Sequence, residues 1–306
     1  RLAHLVGVDD HPRLLSVPAP SSCGLGGGSS LLQSRSNQSE RIISDTPSDE
    51  ARRYVIGFRG EGKSAGALRL GSSTASIIGE DDREIVSQHL RWPWRSICAL
   101  DIVSKHGRSR GTGWLAGPRT VITAGHCVFN RARYGGWVQS ITVIPALSEM
   151  SKPFGAFKSE TFFCSAPWFD SAAREIDVGC VELSEPIGMS CGWMAYNADT
   201  IGLTRAGAVK ARVSGYGAFG GIDENMVTHA GDTVGVQGGL LFHLVDTTPG
   251  QSGGPVWRAE QDAAPVVLGV HVQEKMPTPR DPKLLANAAI PLTPEILNLI
   301  VRWQSE

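Results

Sequence analysis

Apolar and polar positions change their rhythm near residue 77. Downstream of it, short runs rich in β-branched and aromatic residues recur at 96–103, 120–123, 140–144, 178–183, 239–245 and 266–272, broken by Gly, Pro and Asn. Runs of this length with turn residues between them predict strands, and many such strands with little helical periodicity predict an all-β sandwich or barrel. The one helical pattern comes last. Thr293 can act as N-cap, Pro294 fits the first helical position and Glu295 suits the positive helix end. Ile296, Leu299, Ile300 and Trp303 then form a single apolar stripe, so this helix is expected to pack against a barrel.

Residues 1–76 read differently. The stretch from Ser21 to Glu50 is dense in Ser, Gly and charge, a composition that buries too little apolar surface to offset the entropy of ordering. A pro-segment or disordered N-terminal region is expected over 1–76, followed by a folded domain over 77–306. No internal repeat is visible.

Composition narrows the picture in three respects. With 41% hydrophobic and 19% charged residues among 306, the chain has an ordinary soluble composition and can bury a large core. A formal net charge of -1 gives no reason to expect a nucleic-acid or acidic-membrane partner, and no apolar run approaches bilayer length. Six cysteines (Cys23, Cys98, Cys127, Cys164, Cys180 and Cys191) contain no C-x-x-C pair, which disfavours zinc or thioredoxin-like chemistry. Their scatter among strand-like segments reads as disulfides and an oxidising compartment, with buried free thiols as the alternative.

Three stretches carry candidate chemistry. In Pro249-Gly250-Gln251-Ser252-Gly253-Gly254-Pro255, glycines flank a serine. A hydroxyl becomes a useful nucleophile when a base takes its proton and donors hold the oxyanion, and glycines let the backbone turn sharply enough to supply them. The N–H groups of Gly250 and Ser252 are the natural oxyanion pair. In Thr123-Ala124-Gly125-His126-Cys127, small residues at the end of a β-run leave room around an imidazole. In Ile176-Asp177-Val178-Gly179-Cys180, an acid opens an apolar strand, where burial is costly unless the carboxylate is hydrogen-bonded. Asp170 competes for that role, but its neighbours do not alternate into a strand.

Taken together, these stretches resemble the chymotrypsin-like serine peptidases, and especially their glutamyl-endopeptidase branch. The similarity runs through 77–83 (IIGEDDR), 92–94 (WPW), 111–127 (GTGWLAGPRTVITAGHC), 176–183 (IDVGCVEL), 213–217 (VSGYG), 247–257 (TTPGQSGGPVW) and 268–272 (LGVHV). The resemblance implies two six-stranded antiparallel β-barrels, the first over about 77–186 and the second over about 187–306, with a C-terminal helix. It implies His126, Asp177 and Ser252 as catalytic triad, no metal or organic cofactor, and kcat/KM rising through roughly pH 6.5–7 as the histidine base titrates. An α/β-hydrolase elbow fits G-x-S-x-G equally, but that fold needs its acid and histidine after the serine; only His271 comes after it, in a β-run.

The resemblance also assigns a specificity pocket. Thr247 and His271 fall where glutamyl endopeptidases read an acidic P1 side chain, and a freed amine near Ile77 would add a cation. Against this, Glu274 stands three residues beyond His271 and would repel an acidic substrate; His271 as a satisfied strand residue is the alternative. Other departures are Gln251 before the serine and Gly111 where the usual partner of Cys127 would stand. Cys98 for Cys127, and Cys164 with Cys180, are the pairings left open. The expectation is a secreted (extracellular or periplasmic) monomeric endopeptidase acting on protein or peptide substrates. A catalytically silent binding protein on the same fold, an esterase, or a serine protease of other P1 specificity are the alternatives.

Overall fold

The computed structural model describes residues 40–41, 55–59, 76–149, 151–197, 202, 208–217, 224–258 and 265–305. Most of the expected pro-segment, including Cys23, therefore lies outside the described residues. The strands in chain order are β1 (Glu40–Arg41), β2 (Val55–Arg59), β3 (Glu84–Ile85), β4 (Ile97–Ser104), β5 (Gly107–Leu115), β6 (Thr120–Thr123), β7 (Phe129–Asn130), β8 (Gly136–Trp137), β9 (Ser140–Pro145) and β10 (Phe157–Ser159). They continue with β11 (Thr161–Ser165), β12 (Gly179–Glu182), β13 (Ala195–Tyr196), β14 (Lys210–Tyr216), β15 (Met226–Gln237), β16 (Leu240–His243), β17 (Pro255–Arg258), β18 (Val266–Pro277) and β19 (Leu285–Pro291).

The first sheet has the order β1-β2-β11-β12-β6-β5-β4-β9-β10. β10 and β11 are two halves of one stretch interrupted at Glu160. The first half pairs with β9 and the second with β12, which brings the sheet round on itself. In the second sheet β18, β17, β14, β15, β16 and β19 succeed one another, and β18–β19 pairing closes the ring. Ser76 and β3 belong to this second sheet: Ser76 bridges to Thr247 and β3 pairs with β15.

Alternation places the core. Ile97, Leu100, Ile102, Trp114, Leu115, Ile122, Phe162 and Phe163 are buried on one face or the other of the first sheet, while Val213, Leu241, Val256 and Leu268 form a cluster in the second. The expected C-terminal helix forms over Pro294–Trp303, with Ile296, Leu299, Ile300 and Trp303 buried. Thr293 Oγ1 accepts from the Ile296 N–H at 3.4 Å, so the cap read from sequence is made. Just past the helix, Gln304 Nε2 donates to the Ala116 carbonyl at 2.7 Å, tying the C-terminus to the first barrel.

The cysteine pairings do not form. Cys98, Cys127, Cys164, Cys180 and Cys191 are all free and buried. Register gives the reason for one pair. Cys164 lies opposite Gly179 and Cys180 opposite Phe163, so the two cysteines are one residue out of step and project to opposite faces of the sheet. Cys98 lies opposite Gly113, whereas the Cys127 sulfur sits 2.9 Å from where a Cβ on Gly111 would be, so each faces a glycine. Burial pushes the Cys98, Cys164 and Cys180 thiols well up, and Cys191 up to about 12, as expected of inert core sulfur.

Candidate active site

β6 and β12 are antiparallel neighbours with Thr123 opposite Gly179, so the chain leaving β6 and the chain entering β12 lie at the same end of the sheet. A one-turn helix, Gly125–Val128, carries His126 there, and a 3₁₀ turn over Arg174–Ile176 delivers Asp177. The two meet twice. One carboxylate oxygen accepts from the His126 backbone N–H at 2.8 Å, and the other lies 2.7 Å from Nδ1. With the Nδ1 hydrogen directed at a carboxylate, Nε2 is left as the proton acceptor. Asp177 is 3% exposed whereas Asp170 is exposed, and the buried acid is the one with the histidine.

Two further features fix this pair. A Cβ on Gly125 would lie 2.8 Å from Trp168 Cδ1 and 2.9 Å from the Asp177 oxygen that holds the His126 amide, so only glycine leaves the carboxylate in place. Trp168 stands edge-on to the His126 ring at 6.3 Å, held by its indole N–H on the Phe129 carbonyl at 2.9 Å. Burial alone would lower the His126 pKa, but the Asp177 charge and hydrogen bond, with the neighbouring Cys127, outweigh it and hold the pKa well above the usual 6.5.

Ser252 arrives from the second barrel on the turn between Asp246 and β17. Gln251 is fully buried and shapes that turn: its Oε1 accepts from the Thr248 N–H at 2.8 Å and its amide donates to the Val227 carbonyl at 3.2 Å. Gly250 and Gly253 have φ of +105° and +87°, a region closed to most side chains. A Cβ on Gly253 would collide with Thr123 Oγ1 and the Thr112 carbonyl, which shows how closely the serine turn packs on the strand leading to His126. The Ser252 carbonyl accepts from the Thr112 N–H at 2.9 Å and lies 3.7 Å from the sulfur of Cys127, the residue after His126. The N–H groups of Gln251, Gly253 and Gly254 are all spent on carbonyls of the chain. Those of Gly250 and Ser252 donate to no acceptor among the described residues.

Thr112 was not singled out in the sequence, yet it is the hub between the barrels. Its hydroxyl donates to the Gly250 carbonyl at 2.8 Å and accepts from the Tyr216 N–H at 2.8 Å, while its own carbonyl accepts from Thr123 Oγ1 at 2.7 Å. No local motif announces such a role, because it depends on strands far apart in the chain.

Thr247 and His271 border the same turn. Thr247 leads into it, and its backbone exchanges bonds of 3.1 and 2.8 Å with Ser76. The His271 carbonyl accepts from the Gly253 N–H at 2.7 Å and its N–H donates to the Gly254 carbonyl at 2.9 Å. Both residues are fully buried; Thr247 Oγ1 makes no hydrogen bond among the described residues, and the His271 ring has only the Ala288 backbone nearby as a partner. A second histidine unforeseen from sequence, His243, lies edge-on to His271 at 5.5 Å and is equally buried. Burial lowers the His271 pKa to about 3, reinforced by the nearby His126, so this ring is neutral rather than cationic. The side chain of Glu274, the expected antagonist, lies outside the described residues. Near Thr247, Asp246 accepts from the Ile78 N–H at 2.6 Å, which docks the chain just after Ser76 beside the serine turn.

A family model described as Trypsin matches residues 86–290. This chain belongs to the trypsin family. Among its relatives, a protein named glutamyl endopeptidase from Bacillus licheniformis is 34% identical over 206 residues, covering 65% of this chain and 61% of the relative. The chain thus spans less than two thirds of that relative's length. A protein named extracellular metalloprotease from Bacillus subtilis is 28% identical over 229 residues, covering 70% of this chain and 71% of the relative. A solved structure of a Glu endopeptidase in complex with MPD superimposes with a TM-score of 0.63 at 21% identity, over 75% of this chain and 100% of that one. At such identity the likeness concerns the fold, and it bears out the expected chymotrypsin-like architecture of two β-barrels with a C-terminal helix.

Proposed function

We propose that this trypsin-family chain is a serine endopeptidase that cleaves peptide bonds through an acyl-enzyme on Ser252. The observation that carries the reading is the double hydrogen bond of Asp177 to the His126 amide and ring, which prepares Nε2 as a base at the turn where Ser252 is held. In this mechanism Ser252 Oγ attacks the peptide carbonyl while His126 takes its proton. The amides of Gly250 and Ser252, unspent among the described residues, stabilise the oxyanion. His126 then protonates the leaving amine, and water releases the acyl group by the same steps in reverse. Asp177 keeps the ring in the correct tautomer and stabilises the imidazolium.

A metal-dependent reading, prompted by one relative's name, would need donors that converge. Among the described residues no group of three His, Cys, Asp or Glu side chains does so, and the donors at this site bond one another. The silent-binding alternative gains no support from the residues, since all three members of the expected triad are present.

We further infer a preference for Glu, then Asp, at P1, with Thr247 and His271 in the S1 pocket. Buried polar atoms without partners are costly, and the unpartnered Thr247 Oγ1 beside the buried His271 ring suits a pocket that a substrate carboxylate completes. Because burial keeps the His271 ring neutral, it offers an N–H first; an incoming carboxylate would draw a proton onto it. Processing near Ser76–Ile77 would free a new amine beside the backbone bridge to Thr247, and secretion suits a chain with a relative named extracellular metalloprotease. Replacing Ser252 by Ala tests the proposal: hydrolysis should fall by roughly 10⁶-fold with the fold intact. Activity within about tenfold of the parent would remove Ser252 from the mechanism.

A further inference from the structure

The N-terminal region, read from composition as unable to fold, contributes two strands to the first sheet. β2 runs antiparallel to β11 in a five-residue register from Arg59 opposite Thr161 to Val55 opposite Ser165, and β1 pairs with the far side of β2. The edge it takes is left free by the barrel itself. β12 occupies one side of β11, and the strand that closes the barrel, β9, pairs with β10 instead. An unpaired row of N–H and C=O groups on β11 would be a template for any other extended chain.

The strand so covered holds the catalytic acid's segment. At the end of β11 the Ser165 hydroxyl donates to the Ile176 carbonyl at 2.6 Å and accepts from the Trp168 N–H at 3.3 Å. The Ser165 N–H donates to the Val178 carbonyl at 3.2 Å. One residue thereby staples both ends of the excursion that brings Trp168 and Asp177 to His126. Val55 sits opposite that residue.

We propose that the N-terminal region is an intramolecular strand donor: Val55–Arg59 docks on the β11 edge, braces the Ser165–Asp177 excursion while the chain is whole, and leaves once the chain is cut. The release rests on the pro-segment reading; the docking does not. A five-residue strand is marginal as a free binder, but covalent attachment raises its effective concentration at the edge. Cutting the tether abolishes that advantage.

The test is amide hydrogen exchange on the full chain carrying Ser252→Ala, so that no self-cleavage intervenes. Three forms are compared: the chain as it stands, one with Ile56→Pro and Gly57→Pro, and one with a control Ser64→Pro. Adjacent N–H groups of a strand point to opposite sides, so the paired prolines remove a bond to β11 whichever residue donates it. Exchange within 161–165 should quicken by at least about tenfold in the double-proline chain alone, with β14–β19 unchanged as the internal reference. Equal protection of 161–165 in all three forms would overturn the docking. A foreign-protease site placed within 68–73 then allows cutting on demand. Loss of protection with elution of the fragment away from the domain supports release, and a fragment still bound after gel filtration overturns it. N-terminal sequencing of wild-type active enzyme separately decides whether the segment is removed in nature, so failure of the pro-segment reading is not confused with failure of the docking.

Discussion

At His126, burial and charge oppose each other, and the charge of Asp177 decides the outcome. The sequence alone suggested kcat/KM rising through roughly pH 6.5–7. The structure moves that rise upward, because a base must be neutral and the raised pKa delays its neutral form. A pH profile of kcat/KM with a neutral substrate should show its acidic limb above the usual histidine value of 6.5. Asp177→Asn should bring that limb back down and cut kcat by roughly 10⁴-fold. The sign for stability is the opposite of that for activity. A raised histidine pKa stabilises the fold fully below 6.5 and loses that contribution as pH climbs through the folded value. Gly125 is a second residue-scale test. Its Ala variant pushes a methyl toward the Asp177 oxygen, so kcat should fall by roughly 10²-fold with KM little changed. A kcat equal to the parent's would mean the carboxylate has room to move. For His271→Ala, kcat/KM on Glu substrates should drop by an amount equivalent to about 2–4 kcal/mol, while apolar P1 substrates lose far less. A peptide-library profile led by Arg, Lys or large apolar residues would refute the acidic pocket. His126, Asp177 and Ser252 were legible because their flanks are local in sequence. His243 and Thr112 were not, because their importance comes from packing across strands.

Among the elements, the C-terminal helix was the most readable, since cap, first-turn proline and apolar stripe all lie close together in the chain and act locally. Strand positions were largely legible too, as at Thr120–Thr123, but their ends drifted: the run expected at 266–272 extends as β18 to Pro277. β2 was missed because its short apolar run lies inside a region whose composition argues for disorder; pairing with β11, not its own content, makes it a strand. Cysteine pairing failed for a related reason. Spacing places Cys164 and Cys180 on adjacent strands, but one step of register puts them on opposite faces. The junction of elements at Thr112 gives a further expectation. Thr112→Val keeps the shape but leaves the Gly250 carbonyl and the Tyr216 N–H without this partner, a destabilisation of about 1–3 kcal/mol for each group stranded. Denaturant unfolding measures the loss, and kcat should fall with it because the serine turn is one of the two groups released. Unchanged stability and unchanged kcat would show the hydroxyl to be replaceable.

On the scale of the molecule, the proposed chemistry is divided between two barrels, with His126 and Asp177 on the first and Ser252 on the second. Neither barrel holds a complete site, so activity also reports how the barrels meet, through Thr112 and through the close packing of Gly253 on Thr123. The central claim is that Ser252, alone among the serines, is made nucleophilic by that meeting. A fluorophosphonate or other organophosphorus reagent, with peptide mass mapping of the product, tests it directly. The expected result is one label per molecule, on Ser252, formed faster as pH rises through the His126 titration and lost in both His126→Ala and Ser252→Ala. Failure of the folded wild-type chain to label, or a label on another residue, would contradict it.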